Sequence, residues 1–109
     1  MQSGSLLRIF IGESDKHNNE PLYEWIILRA REHGLKGATV IRGMEGYGAH
    51  SKIHTAKVMV SSADMPIIIE CLDTAEKIEA FIEIVEGAVV EGAITVEDVR
   101  MKFMRKSDA

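Results

Sequence analysis

The chain has 109 residues, enough for one domain, 1–109, with a modest core. Hydrophobic residues make up 46% and charged residues 28%, an ordinary globular composition. The net charge of −4 excludes a protein that binds nucleic acid over its whole surface, but not a local basic pocket for a phosphorylated small molecule.

The first element, SLLRIFIG (Ser5–Gly12), is a short apolar run with one charge and reads as a buried strand. ESDKHNNEP is polar and loop-like. Pro21 then suits a first helical position, capped by Asn19 or Glu20. Leu22, Trp25, Ile26 and Ala30 recur at helical spacing and give one apolar face, with Gly34 as the stop. GATVIRG (Gly37–Gly43) is a second strand. IHTAKVMV reads as a third, interrupted by SSADMP, because Pro66 cannot donate to a ladder, and resumed by IIIECLD. Asp73-x-x-Glu76 resembles a capping box before a second helix whose apolar face is Ile78, Phe81, Ile82 and Val85. The last strand is expected over Ile94–Met104, with Arg100 and Lys102 sharing one face.

The order strand, helix, strand, strand, helix, strand predicts an α+β fold of the ferredoxin-like βαββαβ plan. It has a four-stranded antiparallel sheet with two helices on one face. The second face of such a sheet needs a cover if it is apolar, and subunit association supplies one. Cys71 is the one cysteine, in an apolar run, so it is expected as a small core residue in a reducing setting. MQSGSLLRIFIG has no basic segment before its short apolar run, and no run approaches the roughly 20 apolar residues of a membrane span. A cytoplasmic protein without direct membrane insertion and without a nucleic-acid partner is expected.

RGMEGYGAHSKIHT (Arg42–Thr55) is the most informative stretch. Its glycines do not follow the dinucleotide fingerprint, and no Gly-Lys-Ser/Thr makes a P-loop. A glycine-rich backbone at a strand end can turn successive N–H groups toward an anion, or it can be a flexible hairpin. Both readings stay open on spacing alone. His50 and His54 are four apart, but no helix, accompanying glutamate or third ligand supports zinc there. His17 and His33 are expected to face solvent. Glu70 lies among isoleucines and must either face solvent or meet a cation. No nucleophile–base arrangement stands out, so the chain is not expected to be an enzyme. A slow nucleotide hydrolase with Glu70 as base ranks last among the alternatives.

GLKGATV and EGYGAH resemble the segment before the T-loop of PII signalling proteins, and EGAITVEDVRMKF resembles the segment containing the B-loop. RGMEGYG, IHT, SADMPIIIECLD and GAITVEDV resemble the PII-like family known as domain of unknown function 190. The resemblance implies a homotrimeric signalling protein with an adenine nucleotide in each cleft between subunits. It also implies a switching loop over residues 49–66 and a regulated partner such as a transporter or enzyme. It carries nucleotide contacts onto Thr39, Gly46, Tyr47, Gly48, Glu70, Gly92, Ala93, Ile94 and Thr95. Strand placement adds Arg100 and Lys102 as phosphate partners. PII's B-loop lysine has no counterpart here, where the run is Val96-Glu97-Asp98. Two acidic residues would repel a triphosphate, so ADP or AMP is expected over ATP, with no obligatory cofactor. The alternative is a metal-binding trimer of the same fold that uses His50 and His54.

Overall fold

In the computed structural model, residues 1–47, 54–55 and 64–104 are described. The chain opens with β1 (Gln2–Gly12), and a small hairpin, β2 (Lys16–His17) with β3 (Glu20–Pro21), leads into α1 (Leu22–Glu32). Then come β4 (Gly37–Arg42), the short strands β5 (Glu45–Gly46) and β6 (His54–Thr55), and β7 (Pro66–Asp73). The helix α2 (Ala75–Val85), a 3-10 turn (Glu86–Ala88) and β8 (Ala93–Met101) complete the order.

The main sheet has the order β4-β7-β1-β8, and every neighbouring pair is antiparallel. This is the ferredoxin-like topology expected from the element order. β7 alternates strictly between buried and half-buried positions although its sequence is almost continuously apolar. One of its faces is therefore in the core, and the other carries apolar side chains that no helix among the described residues covers.

The core lies between sheet and helices. Leu7 and Ile9 from β1, Ile67, Ile69 and Cys71 from β7, Ile26 from α1, and Ile78, Phe81 and Val85 from α2 are all buried. Each fully buried aliphatic or aromatic side chain contributes about 1.5–3 kcal/mol by leaving water. Burial pushes the Cys71 thiol up to about 11, so it stays neutral at physiological pH.

Several boundaries differ from the sequence reading. Pro21 is the N-cap of α1 and not its first helical residue, because it pairs with Lys16 in the preceding hairpin. That hairpin turns through Asn18 and Asn19, both at positive φ, the geometry of a primed turn. It packs His17 on Trp25 with ring centroids 4.3 Å apart, so His17 is not simply solvated.

Asp73 is not the cap of α2. Thr74 is, accepting from the Lys77 backbone N–H. The fully buried Asp73 carboxylate instead accepts from the N–H groups of Thr74 at 2.7 Å and Lys36 at 2.9 Å. It thereby ties the entry of β4 to the exit of β7. A buried carboxylate must be hydrogen-bonded, and two backbone donors satisfy this one. β8 starts one residue earlier and stops three residues sooner than the alternation of its side chains suggests. Of the 49–66 loop, His54 and Thr55 form β6, Met65 is buried and Pro66 opens β7. A proline fits at a strand's first residue, where no ladder donor is missed. Gly48 and, of that loop, residues 49–53 (His50 among them) and 56–63 lie outside the described residues.

Candidate functional site

Strand register decides which of the candidate residues meet. Thr39 stands opposite Glu70, Glu70 opposite Arg8, and Arg8 opposite Thr95. Directly opposed residues share a face, so these four side chains form one row across the sheet, spanning about 14 Å at ordinary strand spacing. The row lies on the face away from the helices, since Ile9 and Ile69, each one residue off it, are in the core. The next row toward the Gly12 end of β1 is Ile41, Ile68, Phe10 and Ala93. Ile41 is 41% exposed and Phe10 36%. The open face is thus a polar, charged row beside an apolar one.

Arg8 organises the charged row. Its Nε donates to Glu70 Oε2 at 2.8 Å, and its Nη1 pairs with Glu97 Oε1. Hydrogen bonds to Glu70 first and Glu97 second hold the guanidinium above its ordinary range. Glu70 therefore meets a cation, one of the two fates left open for it. The sequence places Arg8 in a strand among other cations that could line a phosphate site, but the motif resemblance does not name it as a site residue. The available signal was a lone arginine in one central apolar strand and a lone glutamate in another, since opposite charges in two such strands are expected to find each other.

The acidic run Val96-Glu97-Asp98 does not act as a unit. Glu97 stands opposite Leu6 on the open face, and Asp98 stands opposite Ser5 on the helix side. Only Glu97 projects beside the row, and there Arg8 neutralises it.

The two glycine-bearing segments lie at the same end of the sheet, on its opposite edges. Gly43 donates its N–H to the Pro66 carbonyl at 2.7 Å, and Gly46 pairs with His54 while standing over the Pro66 ring. Tyr47 is 71% exposed just beyond. On the same end, Gly92 has φ +138°, and a Cβ there would lie 2.1 Å from the Phe10 carbonyl oxygen. Only glycine allows this backbone approach, which delivers Ala93 to Phe10 and starts β8 in register. Ile94 packs against the core and so turns away from the open face. Gly48 lies outside the described residues.

Arg100 and Lys102 are not brought to this end. Arg100 stands opposite Ser3, seven residues along β8 from Ala93, or about 23 Å at strand rise. Lys102 lines a groove at the far end with Met1, Gln2, Lys36, Met101 and Phe103. Lys36 lies over the Phe103 ring, 5.3 Å from its centroid. Among the described residues no cluster of three metal-ligating side chains occurs. No helix among them is long and apolar enough to cross a membrane.

The family model for DUF190, described as Uncharacterized ACR, matches residues 4–101. The chain belongs to the DUF190 family. It is 38% identical over 99 residues to a UPF0166 protein from Aquifex aeolicus, covering 91% of this chain and 93% of that one. A UPF0166 protein from Methanocaldococcus jannaschii is 35% identical over 78 residues, covering 72% and 71% of the two chains. Among solved structures, this DUF190 chain superposes on CPII, a nitrogen regulatory PII-like protein from Thiomonas intermedia K12 bound to ADP, AMP and bicarbonate. The TM-score is 0.65 at 20% identity, over 89% of this chain and 86% of CPII. The fold is therefore PII-like, as the sequence motifs implied.

Proposed function

We propose that this protein is a PII-like regulator that binds an adenine nucleotide, ADP or AMP in preference to ATP, between the subunits of a homotrimer. The observation that carries the reading is that segments 45–47 and 92–95, far apart in sequence, both lie at one end of a PII-like sheet, on its opposite edges. CPII, of the same fold, is known bound to ADP and AMP. Gly46 and Gly92 flank this end of the sheet, and Thr39, Glu70 and Thr95 line the adjoining row. Gly48 belongs to the same loop in this reading.

Arg100 and Lys102 reach a nucleotide only from a neighbouring subunit, given their distance along β8. An exposed apolar row containing Ile41 and Phe10 supports such an association. Nucleotide binding would then switch the 49–66 loop and expose or hide a surface for a regulated protein. A ligand can do this only by binding one loop state better than the other.

Calorimetric titration with AMP, ADP, ATP and cyclic nucleotides tests the reading. Saturable binding of one nucleotide per chain is expected, weakened at least tenfold in Gly46→Val. Unchanged affinity in that variant would remove the glycine loop from the site. Heat from divalent metal, lost in a His50→Ala, His54→Ala double variant, would favour a metal-binding protein of the same fold instead.

A further inference from the structure

We propose that Arg8 is a phosphate-binding residue of this site and that Glu97 is its built-in competitor, setting how much anionic charge the ligand can carry. The inference rests on the nucleotide reading, which names Thr39, Glu70 and Thr95 but leaves their row without a cation. Arg8 is the fourth member of that row, between Glu70 and Thr95 in register.

Its two carboxylate partners differ. Glu70 holds Nε from the adjacent central strand, and its side chain is 33% exposed. Glu97 holds Nη1 from the edge strand β8, and its side chain is 58% exposed. A solvated carboxylate on an edge strand is the easier of the two to displace, because exposed ion pairs contribute only about 0.2–1 kcal/mol. Glu70 remains on Nε and fixes the plane of the guanidinium. A phosphate oxygen then takes the Nη1 donor that Glu97 leaves, in the charge-assisted geometry arginine favours.

The displaced Glu97 stays nearby and repels further negative charge. A nucleotide with one or two phosphates meets little of that repulsion, and a triphosphate meets more. The preference for ADP or AMP thus comes from one residue, Glu97. Asp98 has no part in it, since it stands on the other side of the sheet.

The test compares wild type with Glu97→Gln, Arg8→Gln and the double variant, each checked first for unchanged solution mass and melting. AMP, ADP, ATP and inorganic pyrophosphate are titrated by calorimetry. Glu97→Gln should tighten ATP relative to AMP by about fivefold, the scale of one exposed ion pair. It should raise pyrophosphate affinity similarly, and the double variant should lose both gains. An unchanged ATP-to-AMP ratio and unchanged pyrophosphate affinity in Glu97→Gln would overturn the proposal, as would gains that survive Arg8→Gln. If wild type binds no nucleotide, the nucleotide reading fails. The pyrophosphate comparison between Glu97→Gln and the double variant then decides the anion site alone.

Discussion

The two faces of the sheet are built from the same four strands and yet follow different rules. Toward the helices, Leu7, Ile9, Ile67, Ile69 and Cys71 are almost wholly buried and carry no charge. On the other face, Ile41, Ile68 and Phe10 adjoin a row of Thr39, Glu70, Arg8 and Thr95, with Glu97 at its edge. The covered face stabilises the monomer. The open face contributes less to the monomer, and its apolar row and ion-paired arginine suit association and ligand binding.

Substitutions at matched positions on the two faces should therefore give opposite patterns. Ile69→Ala, in the core, should cost about 2–5 kcal/mol in chemical denaturation, from lost burial and the cavity left behind. Ile41→Ala, on the open face, should cost well under that in the monomer but lower the mass in solution. Equal stability losses at both sites would show that the open face is also part of the monomer's core.

Gly92→Ala places a Cβ against the Phe10 carbonyl at an unfavourable φ. It should cost about 1–3 kcal/mol in strain and shift β8 along the open face, lowering nucleotide affinity as well. A fully stable variant with normal binding would contradict the close approach.

Cys71 reports on the covered face through pH. Its folded thiol lies near 11 against an ordinary 9.0, so the folded state holds the proton more tightly. The stabilisation is complete below pH 9 and disappears as pH rises through 11. Wild type should lose about 2 kcal/mol more than Cys71→Ala between pH 8 and 11. At neutral pH the thiol should react with a thiol reagent only on unfolding. Rapid labelling of the native protein would place it outside the core.

A smaller effect is expected at the start of α2, where Thr74→Ala should cost about 1 kcal/mol by removing its cap. A loss that appears in Asp73→Asn and not in Thr74→Ala would reverse the assignment of the cap.

The covered face was the legible half. Short apolar runs, alternation in the last strand and helical spacing placed both helices, all four main strands and most of the core, because burial leaves those patterns in sequence. The capping residue was misplaced by one, since Asp73 and Thr74 are both good caps and only the tertiary contact to Lys36 distinguishes them. The β2–β3 hairpin was not read, as its strands are two residues each, too short for alternation to register. The candidate site was legible in pieces. Thr39, Glu70 and Thr95 came from motif resemblance, but that they share one open face depends on register. Spacing cannot supply register between strands sixty residues apart. The pairing of Arg8 with Glu70 is not legible for that reason, and the acidic pair Glu97–Asp98 reads in sequence as one repulsive unit although a strand sends its members to opposite faces.

Native mass spectrometry of the wild-type protein with excess ADP tests most directly whether the open face is where subunits and ligand meet. The expected species is three chains carrying three ADP molecules, with trimer lost in Ile41→Glu. A single chain, or a trimer that carries no ADP, would contradict it.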